Sequence, residues 1–362
     1  MNVACHSCNN SYNLPDDRLP VGKVVSFPCP ACKSKVTLDL RQPDEPEMPE
    51  AGTDAGANDK KDEPSDRLVF KPLDESTEAT LDTDDLKKKI LKRIKDLPPM
   101  PKVLLKARQV MDDPKSGFKE IAKIIETDQA IAAKILKVAN SAYYGLSGMV
   151  NSIHQAAVVL GYETLEQVIT MVSSSSMLGK QLKGYRLNAG VLWRHSLAVA
   201  MASRIIAKKR APSMEGDAFS VGLIHDAGKL AIDLHIFNKN KEIDLFLKSV
   251  EMNFRKAEHH ILGFDHTEIA YDLCQKWKLP NTHAEAMRYH HTPEDSGDNQ
   301  LAHIVHVANY LAKQADFGTG PAFDNEPLNQ NSMEALQLKQ EHLDEFTAEM
   351  IDSVEKITEG LK

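Results

Sequence analysis

Residues 221–230, VGLIHDAGKL, set a histidine against an aspartate at the end of an apolar run, with Gly228 and Lys229 directly after. Imidazole and carboxylate are the ligands a divalent cation needs if it is to activate water against a phosphoester. Neighbouring residues on one helix diverge by about 100°, so His225 and Asp226 can share an ion only in a gap between helices, and another helix must contribute. The run LWRHSLAVA offers His195 upstream. Eleven of the fourteen histidines fall between His195 and His306, and among them His266 and the pair His290-His291 stand out as further candidates. The competing reading is structural: His225 and Asp226 hydrogen-bond to neighbouring helices and cap the chain before Gly228. Spacing alone leaves both open. His154, His235, His259, His283, His303 and His306 read individually as surface or satisfied interior residues.

A second chemistry sits at the other end of the chain. Cys5 and Cys8 form one C-x-x-C knuckle, and Cys29 and Cys32 form another. Each lets two thiolates of one turn face one ion, and two such turns complete a tetrahedral Zn2+ shell. So short a module has little core of its own, and metal binding worth roughly 10 to 16 kcal/mol would supply the missing folding energy. Four thiolates leave no open position, so this zinc would be structural. His6, between the knuckle cysteines, reads as exposed rather than as a fifth ligand. Cys274, with Ile269 and Trp277 at helical spacing, reads as a buried packing residue rather than a nucleophile.

The elements that must position these residues follow from pattern. Residues 1–40 carry short β-leaning runs, KVVSF and KVTLDL, around the knuckles. From Arg41 the text turns to Asp, Glu, Pro, Gly and Ala with few large apolar residues, which cannot bury enough surface to offset its ordering entropy; it reads as a flexible acidic tether. From Asp84 the helical period takes over, with Leu86, Ile90, Leu91 and Ile94 on one face until LPPMP stops it. Amphipathic runs then follow one another from VLLKARQVMDD to LAHIVHVANYLAKQ, broken by Gly, Pro, Asp or Asn. After Asp316 comes a loop and then a tail of helical composition, its weakly apolar face suited to the body or to a partner.

Bulk properties narrow the function. The 362 residues and 42% hydrophobic content support a real core, and 52 acidic against 44 basic residues, a formal charge of -8, oppose a general nucleic-acid or membrane-surface binder. No stretch reaches the roughly 18 apolar residues of a membrane span, and the N-terminus lacks an export leader, which points to the cytoplasm. Lys23, Lys33 and Lys35, with Tyr12 and Phe27 as stacking residues, are thin support for nucleic-acid binding through the cysteine module.

The N-terminal stretch CHSCNNSYNLPDDRLPVGKVVSFPCPACKSKV resembles the small zinc ribbons of bacterial regulatory proteins, which implies a docking role. Residues 90–312 resemble an HDOD domain, the HD-related output domain of bacterial signalling proteins, on LPPMPKVLLKARQVMDDP, EIAKIIETDQAIAAKILKVANSAYYG and VNSIHQAAVVLG. The second half is similar to HD phosphohydrolases, including the cyclic-dinucleotide phosphodiesterases of the HD-GYP group. His195 matches the first histidine of that pattern, His225-Asp226 the HD doublet followed by Lys229, and His266 and His290-His291 further ligands. The departures are Asn309 where such enzymes carry an aspartate ligand, Thr292 where a glutamate follows the histidine pair, and no Gly-Tyr-Pro after it. An amide oxygen is a poorer ligand for a hard cation than a carboxylate.

The expectation is therefore a mainly α protein, a multi-helical HD-like/HDOD domain preceded by a small β zinc ribbon: residues 1–40 ribbon, 41–83 disordered acidic linker, 84–316 helical domain with its HD-like part from about 188, and 317–362 loop and helical tail. The function expected is signal transduction through protein partners, with a non-catalytic HDOD domain and the ribbon as a second docking module. The alternative is a metal-dependent phosphohydrolase of a nucleotide or cyclic dinucleotide, using His195, His225, Asp226 and Lys229. Expected cofactors are a structural Zn2+ on Cys5, Cys8, Cys29 and Cys32 and a second divalent metal on His195, His225, Asp226, His266, His290, His291 and Asn309; a nucleotide second messenger is a candidate ligand.

Overall fold

The computed structural model describes residues 2–4, 11–13, 24–28, 35–39, 83–93, 106, 110, 116–249, 254–319 and 326–361. The chain divides into two compact units, Met1–Asp74 and Glu75–Lys362. In the first, β1 (Asn2–Ala4) pairs antiparallel with β2 (Ser11–Asn13), Val3 opposite Tyr12. A second hairpin joins β3 (Val24–Pro28) to β4 (Lys35–Asp39), Ser26 opposite Thr37. The β-branched content of VVSFP and KVTLD suits these extended pairs. The four cysteines of the expected zinc shell, and residues 41–82 of the expected linker, lie outside the described residues.

The second unit is helical. Helix α1 (Thr83–Arg93) is followed by α2 (Phe118–Ile125), α3 (Gln129–Ala139) and α4 (Ile153–Leu178). Short polar side chains start the last two: Asp128 accepts from the amides of Ala130 and Ile131, and Ser152 from that of Gln155. Asn140, at the end of α3, closes the following loop by bonding both the amide and the carbonyl of Val150 at 2.8 Å. Within α4 the helix breaks at Gly161, whose φ of 76° is one that residues with a side chain rarely adopt.

Helix α5 (Val191–Arg210) then runs through the middle of the unit, buried on nearly every side from Leu192 to Ala207. A helix apolar all round is one enclosed by others. After it come α6 (Glu215–Ile224), α7 (Gly228–Asn238), α8 (Asn240–Ser249), α9 (Phe254–Leu262), α10 (His266–Lys276), α11 (Asn281–Tyr289) and α12 (Gln300–Gln314). Helix α6 and helix α12 flank α5, and α10 lies between α7 and α11. Past α12, α13 (Gln330–Ala335) leads to α14 (Gln340–Leu361), which packs on both α5 and α3 and so ties the two halves of the unit together. Its face Leu343, Phe346, Met350, Val354 and Ile357 is buried, which settles the amphipathic tail onto the body. Cys274 is fully buried.

Phe346 is 1% exposed, and emptying its place should cost about 3–5 kcal/mol. The Phe346→Ala variant is expected to shift the urea unfolding midpoint downward accordingly; an unchanged midpoint would mean α14 does not belong to the cooperative core.

Candidate functional site

Five imidazoles gather around one carboxylate. His195 comes from the second turn of α5, His225 ends α6, His290 ends α11 with His291 next in sequence, and His266 opens α10. Asp226 follows α6 and sits 1% exposed among them. Its Oδ2 lies 3.5 Å from His195 Nε2 and 3.5 Å from His225 Nε2, while Oδ1 lies 3.3 Å from His266 Nε2 and 3.9 Å from His290 Nε2. His291 joins through His266, Nε2 to Nε2 at 3.2 Å. Lys229, one turn on from Asp226, places Nζ 2.7 Å from Oδ2 and also donates to Thr319 Oγ1 at 3.2 Å.

Every ring is held by its other nitrogen. His225 Nδ1 donates to the carbonyl of Gly222 and His290 Nδ1 to that of Met287, each at 2.8 Å. Both residues stand at helix C-termini, where the last carbonyls lack partners, so one bond satisfies the helix end and aims the ring. His195 Nδ1 donates to Phe317 O at 2.8 Å. A carbonyl can only accept, so the proton is on Nδ1 in all three, and Nε2 carries the lone pair. His266 Nδ1 meets Glu258 Oε2 at 2.7 Å, and His291 Nδ1 meets Glu326. His306, from α12, donates Nδ1 to the carbonyl of His290 at 2.9 Å and steadies that corner.

Gly228 permits the crossing. A Cβ there would stand 1.9 Å from the carbonyl oxygen of His266, so α7 and α10 meet backbone to backbone and bring Lys229 and His266 to opposite sides of Asp226.

The charges follow from burial. Desolvation holds His195, His290 and His291 well below the ordinary histidine range and lowers His225, so these rings are neutral. Burial would also lower His266, but the Glu258 and Asp226 carboxylates outweigh it and raise the ring to about 9. For Asp226, burial alone would favour the acid; the Lys229 ammonium and the charged, hydrogen-bonded His266 overcome it and hold the carboxyl well below its usual value.

Two ligand groups emerge: His195, His225 and Asp226, and His266, His290 and His291, each with its ligand atoms within 4.8 Å of one another. Among the described residues, the buried Nε2 atoms of His195, His225 and His290 find no hydrogen-bond partner, and neither does Asn309 Oδ1 on α12. Buried polar atoms ordinarily find partners, and three orphaned ring nitrogens around one carboxylate fit a divalent cation. Spacing identified none of Glu258, Tyr185, Phe317, Thr319 and Glu326, whose contacts to the cluster join distant parts of the chain. Among the histidines read as bland, His283 meets Asp217 at 3.0 Å and His303 meets Ser332 at 2.9 Å.

The HDOD domain family matches residues 97–293, more than half the chain, and the chain belongs to that family. A candidate signal transduction protein from Marinobacter aquaeolei VT8 is similar at 21% identity over 77% of this chain and 65% of its own, with a TM-score of 0.59. A candidate phosphohydrolase from Shewanella amazonensis SB2B is similar at 22% identity over 75% of this chain and 98% of its own, with a TM-score of 0.58. Both likenesses show the fold. An uncharacterized protein of Treponema pallidum (strain Nichols) is 24% identical over 221 residues, 59% of this chain, and the chain spans 41% of that relative's length.

In metal-stripped protein the cluster should make stability pH-dependent with a defined sign. Below about pH 6.5 the unfolded chain protonates histidines that the fold keeps neutral, so His195, His225, His290 and His291 each remove up to about 1.4 kcal/mol per pH unit of acidification. The raised His266 works the other way, its contribution full below about 6.5 and lost as pH rises through about 9, so it does not offset this loss. Urea midpoints in EDTA should fall between about pH 6.5 and about pH 5.5. A rising midpoint over that interval would contradict the neutral assignment.

Proposed function

We propose that the protein is a signal-transduction component that works by contact with protein partners through its HDOD domain, with a divalent metal held in the His/Asp pocket as a structural or regulatory centre. The observation carrying this reading is burial: His195, His225, Asp226, His266 and His290 are each no more than 2% exposed, so the groups that would have to meet a substrate are covered. Asn309 adds to it, since a neutral amide stands where an HD hydrolase has its last carboxylate ligand. Outside the pocket, Met149, Val158, Val159 and Tyr162 leave large apolar surface exposed along one stretch, as a partner surface requires. The family and the likeness to a candidate signal transduction protein agree with this reading.

Residues His195, His225 and Asp226 would hold one ion and His266, His290 and His291 a second, with the two oxygens of Asp226 facing the two groups. A bound divalent ion would supply Lewis acidity and a lowered pKa for any coordinated water. To serve as a ligand, His266 must give up its Nε2 proton, and Lys229 must yield part of its hold on Asp226; loading therefore releases a proton and weakens in acid. Cys5, Cys8, Cys29 and Cys32 would hold the structural zinc of an N-terminal ribbon, residues 1–40, joined by an acidic linker over residues 41–83 to the helical domain at 84–316. Such a tether lets two modules engage separate surfaces.

The second reading is a metal-dependent phosphohydrolase. It is favoured by the convergence of four Nε2 atoms on Asp226 with Lys229 beside it, the ligands and the cation such chemistry uses, and by the likeness to a candidate phosphohydrolase.

Metal analysis of the purified chain, with a screen of nucleotides and cyclic dinucleotides in Mn2+ or Fe2+, separates the two. Contact function predicts bound metal lost in His225→Ala without turnover. Metal-stimulated cleavage that disappears in Asp226→Ala would replace it with the hydrolase. Zinc lost on Cys5→Ser, with metal of the helical domain retained, is the expected signature of the ribbon.

A further inference from the structure

Glu258 does work that no ligand pattern assigns to it. The residue is fully buried on α9, and both of its oxygens are engaged. Oε2 accepts from His266 Nδ1 at 2.7 Å and from the His266 backbone amide at 2.8 Å; Oε1 accepts from the Tyr185 hydroxyl at 2.7 Å. Tyr185 is itself anchored. Its amide and that of Gly184 donate to Asp233 Oδ1 on α7, at 3.3 Å and 2.8 Å, and its ring lies 5.1 Å from that of Phe254. The same ring has Lys229 Nζ over its face at 5.8 Å, so one tyrosine touches supports on both sides of Asp226.

We infer that Glu258, locked by Tyr185, is the positioning residue that commits Nδ1 of His266 to the protein and turns Nε2 toward His290 and His291, which makes those three rings a second metal subsite beside His195, His225 and Asp226. This rests on the metal-holding reading of the pocket. A buried carboxylate is stable only when its oxygens are met by donors, and here three donors meet it. Two of them belong to His266. With its other nitrogen bound to a carboxylate, an imidazole has one orientation and higher basicity at the free nitrogen, and loss of such a support typically lowers metal affinity about 10–100-fold. The first subsite needs no such help, because His195 and His225 are held by backbone carbonyls.

The test is a Mn2+ titration of the full-length, metal-stripped chain followed by electron paramagnetic resonance; thiolates are poor ligands for this hard ion, so the cysteines do not compete strongly. Free Mn2+ is counted from its own signal, and two ions sharing Asp226 give an exchange-coupled spectrum. Wild type should bind two ions with the coupled spectrum. Glu258→Gln, which retains an acceptor for the α10 amide, should keep the first ion, weaken the second about 10–100-fold and lose the coupling. Tyr185→Phe removes only the hydroxyl and should weaken the second ion in the same direction, and it serves if the Gln variant does not fold. Wild-type affinity and coupling in both variants, or in Tyr185→Phe alone if Glu258→Gln is unfolded, would overturn the inference while leaving the metal pocket standing. Wild-type protein whose Mn2+ binding is unchanged by Asp226→Ala would remove the pocket reading itself, and the inference with it.

Discussion

An ionised carboxylate shut away from water is tolerated only where other charges and donors surround it, and Asp226 imposes that requirement on the helical unit. Lys229 and His266 answer it from either side, one through Oδ2 and the other through Oδ1. Both must then be supported in turn: Lys229 by Thr319 and the face of Tyr185, His266 by Glu258. Four separate helix ends and the second turn of α5 are drawn to one point by this chain of requirements, and the bare backbone of Gly228 lets two of those ends touch.

The histidines show how a helix terminus can serve a site. A C-terminal turn leaves carbonyls unpaired, and His225 and His290 each commit Nδ1 to the carbonyl three residues back. The repair of the helix end fixes the tautomer, and the tautomer decides that the inward nitrogen is a lone pair rather than a donor. Neutral rings are then the lower-energy state in a dry interior, consistent with the depressed basicity of four of them. His266 departs from this scheme because carboxylates, not carbonyls, lie on both of its edges.

Much of this arrangement is legible in the amino-acid sequence. The helical class follows from the apolar period, and the membership of residues 97–293 in the HDOD family accords with the resemblance carried by LPPMP and VNSIHQAAVVLG. The doublet His225-Asp226 advertises itself because adjacent metal-type ligands are rare on a core helix. Glu258 and Tyr185 carry no such sign: they stand 73 residues apart, and their bond exists only because α7 holds the Gly184–Tyr185 loop. Glu326 is equally silent, reached by His291 across 35 positions. Local spacing reports what shares a turn, whereas the support of a site comes from wherever the fold closes. The tail has the same limit, since its apolar face is evident from periodicity but the surface covering it, α5 and α3, is not.

Burial and chemistry pull against each other in this pocket. Excluding water strengthens each bond to Asp226 and keeps four of the rings neutral, and under the contact reading proposed above the same exclusion stands in the way of a phosphoester. Phe317, Thr319 and Glu326 all come from the connection after α12 and all bond into the cluster, so the groups completing the shell also cover it. A hydrolase must retain an open ligand position and enough negative charge to hold its ions through turnover. Here one carboxylate, Asp226, lies among five imidazoles, and Asn309 brings none. On the contact reading proposed above, that balance would suit an ion held as part of the fold, whose loading would alter how rigidly α6, α7, α10 and α11 are joined and so what a partner meets on their outer surface.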